Sequence, residues 1–307
     1  MKPRALRRGD TIALVSPASP LAGDSLDVVQ QILHDEGYDT VIAPHALERA
    51  AYLAGSDADR AADLTWAFTD PQIDAVLCTR GGYGAARLFP HLDIPKLAAS
   101  GRIFLGFSDI TTLHLALNHA GLATVHAPMG ITLSAPRAPW VIDSFRAVLK
   151  GEDPIPSDAP PGVPMVGGHA EGIVTGGCLC LLTDSIGTPY PLNAEGKILL
   201  IEDVDENPHR IDAMLTHLRN VGILQSAAGI VIGEMTRTDE KVDASIGGRP
   251  WREIVQERVA NLGIPTIIDY PFGHAKQMLS LPLGIRARLD ADAGTLTYLE
   301  PLCEASA

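Results

Sequence analysis

The stretch Arg102–Ala120, RIFLGFSDITTLHLALNHA, decides the fold prediction. Its first part, Arg102–Gly106, is apolar and typical of a buried strand, whereas Ile110–Ala120 has apolar residues at the three- and four-residue spacing of a helix that faces a core. Only the three residues FSD separate the two patterns. A strand that passes almost directly into a helix is typical of an α/β fold with a parallel sheet.

The alternation of strand and helix patterns continues on both sides of this stretch. Short β-branched runs alternate with amphipathic segments before it, and a short strand, Ala123–His126, follows it. The earlier predicted elements are strands Thr11–Val15, Thr40–Ala43 and Ile73–Cys78 and helices Ser25–Glu36 and Ala58–Phe68. We expect these segments to form a parallel sheet flanked by helices.

Proline and glycine interrupt both periodicities at GEDPIPSDAPPGVPMVGG, residues 151–168. We therefore expect an N-terminal domain at 1–150, a linker at 151–169 and a C-terminal α/β domain at 170–307. The second domain is predicted from strands Gly172–Thr175, Lys197–Ile201, Gly229–Gly233, Thr266–Ile268, Ile285–Leu289 and Leu296–Leu299 and from helices Pro208–Val221 and Pro250–Leu262. The length of 307 residues fits two domains.

Composition and charge exclude several classes of partner. The chain carries 24 Lys and Arg against 37 Asp and Glu, a formal net charge of -13, which opposes binding to nucleic acid and to anionic lipid. The apolar run Thr11–Val15 is too short for a signal peptide, and no run of about 18 apolar residues could span a membrane. We expect a cytoplasmic protein that binds neither nucleic acid nor membrane.

The four cysteines, Cys78, Cys178, Cys180 and Cys303, lack the spacing of a disulfide framework. Cys178 and Cys180 form a C-x-C pair, which could be a metal or redox site. No second pair and no nearby histidine accompanies it, so the pattern favours a pair of core thiols.

Functional loops of a parallel sheet lie beyond the carboxyl ends of its strands. The three loops expected at that edge are Ser16–Ser19, Arg80–Gly84 and Gly106–Asp109. In the third loop, Ser108 occupies the junction where a nucleophile elbow exposes its hydroxyl, and the Asp109 amide could serve an oxyanion hole. Ile110 stands where the usual elbow has glycine, and a serine or aspartate before a helix is also a common N-cap.

The Arg80–Gly84 loop, RGGYG, could direct backbone amides at an anion or could simply be a tight turn. It has neither the Lys-Ser/Thr of a P-loop nor the spacing of a dinucleotide motif. Arg80 is a candidate ligand for a substrate carboxylate, but a role in stabilising the loop fits it equally.

A serine nucleophile needs a base and a group that orients the base. His274, in the loop PFGHAKQ, is the first candidate base, and His126, in VHAPM, is the second. Glu202 ends an apolar strand and begins a carboxylate cluster with Asp203, Asp205 and Glu206. These acids could orient His274, hold Mg²⁺ or Ca²⁺, or cap the helix that begins at Pro208.

Taken together, these landmarks resemble the LD-carboxypeptidases along nearly the whole chain. The matching segments are RGGYG at 80–84, GFSDIT at 106–111, HAPM at 126–129, GGCL at 176–179, LIEDVDENPHR at 200–210, PFGH at 271–274 and LPLG at 281–284. Two positions depart from the expected pattern, because Phe107 replaces a frequent tyrosine and Cys178 replaces the expected asparagine.

The resemblance implies a Ser108–Glu202–His274 triad and an oxyanion hole made by the amides of Gly82 and Asp109. It further implies a Rossmann-like N-terminal domain, a C-terminal domain with a small β-barrel, an active site between them, and a homodimer. The implied activity is release of the terminal D-alanine from murein tetrapeptides in peptidoglycan recycling, without metal or cofactor.

Two other functions stay open. The first is hydrolysis of aminoacyl-nucleotide analogues, as in the microcin C self-immunity proteins of the same family. Those enzymes stack the base on an aromatic residue of a longer loop, whereas Leu181–Asn193 is short and has no tryptophan. The second is a non-catalytic two-domain protein that binds a small ligand at Arg80–Gly84.

Overall fold

The computed structural model describes residues 1–21 and 23–304. These residues form two compact units. The first contains Met1–Pro156, Leu279–Gly284 and the described residues from Pro301 on, and the second contains Ser157–Met278 and Ile285–Glu300. The polypeptide therefore leaves the second unit at 278/279, contributes a short segment to the first, and returns at 284/285.

The thirteen strands of the described chain are β1 Thr11–Val15, β2 Asp39–Ile42, β3 Ala75–Cys78, β4 Ile103–Gly106, β5 Thr124–His126, β6 Val163–Val166, β7 His169–Cys178, β8 Ile198–Val204, β9 Gly229–Thr236, β10 Thr266–Ile268, β11 Leu281–Leu283, β12 Arg286–Asp290 and β13 Thr295–Tyr298. The α-helices are α1 Gly23–Asp35, α2 Asp57–Thr69, α3 Ile94–Ala98, α4 Thr111–His119, α5 Gly130–Leu133, α6 Pro139–Lys150, α7 Leu179–Asp184, α8 Pro208–Asn220, α9 Ile223–Ser226 and α10 Trp251–Val259. Short 3₁₀ segments cover Ala85–His91, Ser108–Ile110, Asp239–Lys241, Ala244–Ile246 and Ala260–Leu262.

The sheet of the first unit has the order β2-β1-β3-β4-β5-β11. Strands β1 to β5 are parallel, and β11 is antiparallel to β5 at the edge. The side chains of β3 and β4 are buried throughout, which explains their uninterrupted apolar sequences. The order reverses between β1 and β3, and in such sheets ligands bind in the crevice beyond the carboxyl ends of the strands at this reversal.

The sheet of the second unit has the order β13-β12-β7-β8-β9-β10-β6 and curls into a half-barrel. Its central strands, β7 to β10, are parallel, whereas β6, β12 and β13 pair antiparallel. The predicted fold class is confirmed: a Rossmann-like parallel sheet is combined with a second α/β unit whose sheet is barrel-like.

Seven of the strands and α-helices of the described chain were not predicted from the sequence: α3, α5, α6, α7, α9, β6 and β11. Helix α6 buries Val141, Phe145 and Val148 and is followed by Gly151, which adopts the left-handed conformation common after a helix. Its helical spacing was visible in the sequence. Strands β6 and β11 each contain a proline and are too short to show a period. None of the helices in the described ranges is long and apolar enough to span a bilayer.

Candidate active site

Ser108 lies on a strained elbow between β4 and α4. Its φ of 64° is in the left-handed region, which is uncommon for a residue other than glycine. The 3₁₀ segment that begins at Ser108 and the following α4 both lack a side-chain N-cap hydrogen bond. The side chain of Asp109 instead accepts a hydrogen bond from the Ala85 amide at 2.8 Å. The geometry therefore favours an elbow over a helix cap.

The Arg80–Gly84 loop packs directly against this elbow. A Cβ atom added at Gly81 would lie 2.8 Å from the Ser108 Cβ and 3.1 Å from its Oγ, so only glycine fits. Ser19, in the loop after β1, donates its amide to the Gly81 carbonyl at 3.2 Å and accepts from the Tyr83 amide at 3.3 Å. The three strand-end loops of the first unit therefore meet, as the topology predicts.

The guanidinium of Arg60, on α2, links two of these loops through hydrogen bonds. Its side chain is only 1% exposed and donates to the carbonyls of Pro17 and, at 3.0 Å, Gly84. It also pairs with Asp57 one turn earlier on the helix. Sequence reasoning missed Arg60 and named Gly81 only as a member of the Arg80–Gly84 loop. The available signal for Arg60 was an arginine on the apolar face of a helix, where burial requires partners.

Glu202 and His274 form a buried hydrogen-bonded pair in the second unit. The Oε2 atom of Glu202 lies 2.7 Å from His274 Nδ1 and accepts from the His274 amide at 3.1 Å. Glu202 is fully buried within β8, and the His274 side chain is 16% exposed. Two hydrogen bonds to one oxygen fix both the backbone and the imidazole of His274, and they favour the tautomer that carries its proton on Nδ1.

Opposing effects act on the pKa of His274. Burial lowers it, but the charge and hydrogen bond of Glu202, together with the charges of Asp203 and Asp205, outweigh burial and raise the pKa above 6.5. The Asp203 carboxyl is also buried, and burial beside Glu202 raises its pKa to about 7. The pair thus lies in a strongly negative environment that stabilises an imidazolium.

The predicted carboxylate cluster is divided among different partners. Glu202 binds His274, and Asp203 accepts from the amides of Cys180 at 2.9 Å and Val204 at 2.7 Å. Asp205 forms ion pairs with Arg237 and Lys241. Helix α8 begins after Asn207 without a side-chain cap hydrogen bond. These contacts agree best with the interpretation of Glu202 as the residue that orients His274.

The contacts of His126, His114 and Arg80 differ from those of the Glu202–His274 pair. His126 is fully buried at the end of β5, with its ring 5.6 Å from that of Phe107. His114 is a buried core residue whose ring nitrogens lie 2.8 Å from the Gly106 carbonyl and 2.9 Å from Thr124 Oγ1. Arg80 is exposed and donates to the Pro20 carbonyl at 3.2 Å. This contact supports a loop-stabilising role and leaves the guanidinium accessible.

The chain matches two family models and several known proteins. The LD-carboxypeptidase N-terminal domain matches residues 12–127, and the LD-carboxypeptidase C-terminal domain matches residues 171–289. The murein tetrapeptide carboxypeptidase of Pseudomonas aeruginosa is 35% identical over 292 residues, which cover 92% of this chain and 93% of that protein.

Solved structures show the same architecture. The muramoyltetrapeptide carboxypeptidase from Oxalobacter formigenes is 28% identical with a TM-score of 0.81, covering 94% of this chain and 97% of the other. The wild-type microcin C7 self-immunity protein MccF has a TM-score of 0.83 over 99% of this chain and all of its own, but at 22% identity it shares the fold alone. From the two domain matches and the P. aeruginosa relative, the chain belongs to the LD-carboxypeptidase family.

Proposed function

We propose that the chain is a serine carboxypeptidase that hydrolyses the bond between an L-centre and the terminal D-alanine of a murein tetrapeptide. The main support for this proposal is the 2.7 Å hydrogen bond between Glu202 Oε2 and His274 Nδ1. Because Nδ1 is hydrogen-bonded to a buried carboxylate, Nε2 is the ring nitrogen that would accept the proton of the nucleophile, as in serine hydrolases. The strained Ser108 supplies a nucleophile of matching chemistry.

In the proposed reaction, Ser108 Oγ attacks the scissile carbonyl carbon while His274 Nε2 takes the hydroxyl proton. The C–N bond of the tetrahedral intermediate then breaks, and His274 returns the proton to the leaving D-alanine amine. Water, deprotonated by the same histidine, hydrolyses the acyl-enzyme and regenerates Ser108. Glu202 stays ionised and stabilises the imidazolium in both steps. This mechanism requires His274 Nε2 to reach hydrogen-bonding distance of Ser108 Oγ.

The amides of Gly82 and Asp109 are the proposed oxyanion hole. Asp109 follows the nucleophile at the start of a 3₁₀ turn that leads into α4, where unpaired amides carry partial positive charge. Gly82 has a φ of 105°, and an added Cβ would lie 2.3 Å from Ser19 Oγ, so this glycine conformation is fixed by its neighbour. Both residues belong to the loops that meet at Ser108.

The family and the names of its members support a murein peptide as the substrate class. Arg80 is the proposed ligand of the substrate's terminal carboxylate, because it is exposed at the edge of the RGGYG loop.

We also propose a cytoplasmic homodimer with domains at 1–150 and 170–307. The lack of a disulfide-framework spacing among the four cysteines supports a reducing compartment. The mass of the purified protein in solution tests the dimer.

The decisive test compares Ser108→Ala and His274→Ala with the wild type in release of D-alanine from a murein tetrapeptide. Each variant should lose at least about a thousandfold in kcat. Ser100→Ala is the matched control, because Ser100 is a partly exposed serine of the same unit, and its hydroxyl accepts a hydrogen bond from the Arg102 amide at 3.4 Å. Wild-type turnover by Ser108→Ala would contradict the assignment. A tetrapeptide that ends in L-alanine should remain uncut.

The same assay separates the other functions. The shared fold with MccF makes an aminoacyl-nucleotide analogue the appropriate competing substrate. A higher kcat/KM for that analogue than for the tetrapeptide would reverse the proposed substrate order. Saturable tetrapeptide binding without turnover of either compound would favour a non-catalytic binding protein.

A further inference from the structure

The two closely spaced cysteines lie beside a buried aspartate, next to the Glu202–His274 pair. Cys178 is the last residue of β7, and Cys180 lies in the first turn of α7. Parallel pairing of β7 with β8 aligns Cys178 with Glu202, so the following residue, Asp203, approaches the two thiols. The fold thus brings a C-x-C pair and a carboxylate into one cluster.

The distances within this cluster match those of a metal coordination shell. The two Sγ atoms are 3.5 Å apart, and Cys178 Sγ lies 3.6 Å from Asp203 Oδ1. A tetrahedral zinc ion with Zn–S of about 2.3 Å and Zn–O of about 2.0 Å separates its ligand atoms by about 3.5–3.8 Å. The ligand atoms of all three residues lie within 4.8 Å of one another, so they could bind one ion with small side-chain adjustments.

The carboxylate is already oriented by the backbone. Asp203 Oδ2 accepts from the Cys180 amide at 2.9 Å, and Oδ1 accepts from the Val204 amide at 2.7 Å. Outer hydrogen bonds of this kind fix the direction of a metal ligand and strengthen binding. Cys178 and Asp203 are buried, whereas Cys180 is partly exposed, so an ion would have an entry path and a fourth position for water.

The electrostatics of the cluster favour a cation. Cys178 Sγ lies 3.6 Å from Asp203 Oδ1, and Cys178 pairs in register with Glu202 of β8, so two buried carboxyl groups lie close to the thiols. A divalent cation would replace the thiol protons and offset the repulsion among these groups. Thiolate ligands select zinc over magnesium or calcium.

We propose that Cys178, Cys180 and Asp203 form a binding site for a thiophilic divalent cation of the zinc class. Three protein ligands leave one position for solvent. None of the three proposed ligands is the nucleophile, the base or the residue that orients the base, so Zn²⁺ binding can be measured separately from peptide hydrolysis.

The test uses the full chain, kept reduced under anaerobic conditions and titrated first with Co²⁺ and then with Zn²⁺. We expect one equivalent of Co²⁺ to produce a thiolate charge-transfer band with tetrahedral ligand-field bands, and Zn²⁺ to displace it. Calorimetry with Zn²⁺ gives the affinity. Absence of a saturable charge-transfer band in the wild type would overturn the proposal, whether or not the chain hydrolyses peptides.

Two variants locate the site. Cys180→Ser changes one atom of a partly exposed side chain, and Asp203→Asn keeps the shape of the carboxylate. Each should weaken Zn²⁺ binding by at least the 10–100-fold that the loss of an outer-shell partner costs. Cys303→Ser, a buried thiol of the first unit, should bind as the wild type does. Undiminished affinity in both Cys180→Ser and Asp203→Asn would exclude this cluster as the site.

Discussion

The contact between Gly273 and Glu202 predicts a large and specific loss of activity in Gly273→Ala. A Cβ atom at Gly273 would lie 2.3 Å from Glu202 Cγ and 2.4 Å from its Oε2, whereas ordinary contacts begin near 3.4 Å. The carboxylate or the loop must therefore move by about 1 Å, which lengthens the 2.7 Å hydrogen bond to His274. A misplacement of about 1 Å can cost about 100-fold in rate, which corresponds to about 2.7 kcal/mol.

A matched glycine separates this effect from backbone strain. Gly273 has a φ of 81°, and Gly222 has a φ of 82° with no atom within 4 Å of an added Cβ. Both alanine variants should lose about 1–2 kcal/mol of stability from the left-handed backbone. Only Gly273→Ala should also lose about 100-fold in kcat/KM for D-alanine release. The measurements are urea unfolding and steady-state kinetics. Equal activity losses in the two variants would show that the contact with Glu202 is not the cause of the loss in Gly273→Ala.

Three further predictions concern His274, His114 and Gly81. Because a base must be neutral and the folded pKa of His274 is raised, activity should fall as pH decreases through a midpoint above 6.5. In Glu202→Gln the midpoint should move to lower pH, because burial then dominates; a pH–rate profile with an unchanged midpoint would contradict the assignment. Burial lowers the pKa of His114 from 6.5 to about 3. The charge of His126 also lowers this pKa, whereas the hydrogen bond to the Gly106 carbonyl opposes the shift. The unfolded chain therefore binds the extra proton between these pKa values, and stability should decline below pH 6.5, by about 2 kcal/mol at pH 5. Unfolding of wild type and His114→Gln at pH 5 and 7 measures this contribution, and identical pH dependence would exclude it. Gly81→Ala should lower kcat because its Cβ would meet Ser108 at 2.8 Å, and a wild-type kcat would show that the elbow tolerates the shift.

Local sequence patterns predicted most of the strands and helices but did not predict the strand that completes the edge of the first sheet. Strands β1 and β10 have the predicted limits, and β3 is two residues shorter than predicted. Strand β11 is defined by its pairing with β5 and not by a period of its own, so a local pattern could not reveal it. Its segment lies far along the chain from the sheet that it completes.

The residues of the candidate site likewise include some that the sequence predicts and others that only the structure reveals. Ser108, Glu202 and His274 could be selected because each follows a strand predicted from the sequence, where polar residues are seldom needed for packing. Gly81 and Arg60 act through contacts with distant loops, which one sequence does not show. The choice between elbow and cap at Ser108 depended on a backbone angle and on the Asp109–Ala85 hydrogen bond. These are properties of tertiary structure.

The late position of β11 in the chain affects how this protein emerges from the ribosome. The edge of β5 receives its antiparallel neighbour only after residues 127–280 have been synthesised. Until then a nascent first sheet exposes the amides and carbonyls of Thr124–His126, an edge that other chains could join. Completion of the first sheet therefore waits for nearly the whole polypeptide, and a fragment that stops before Leu281 should be prone to association through this edge.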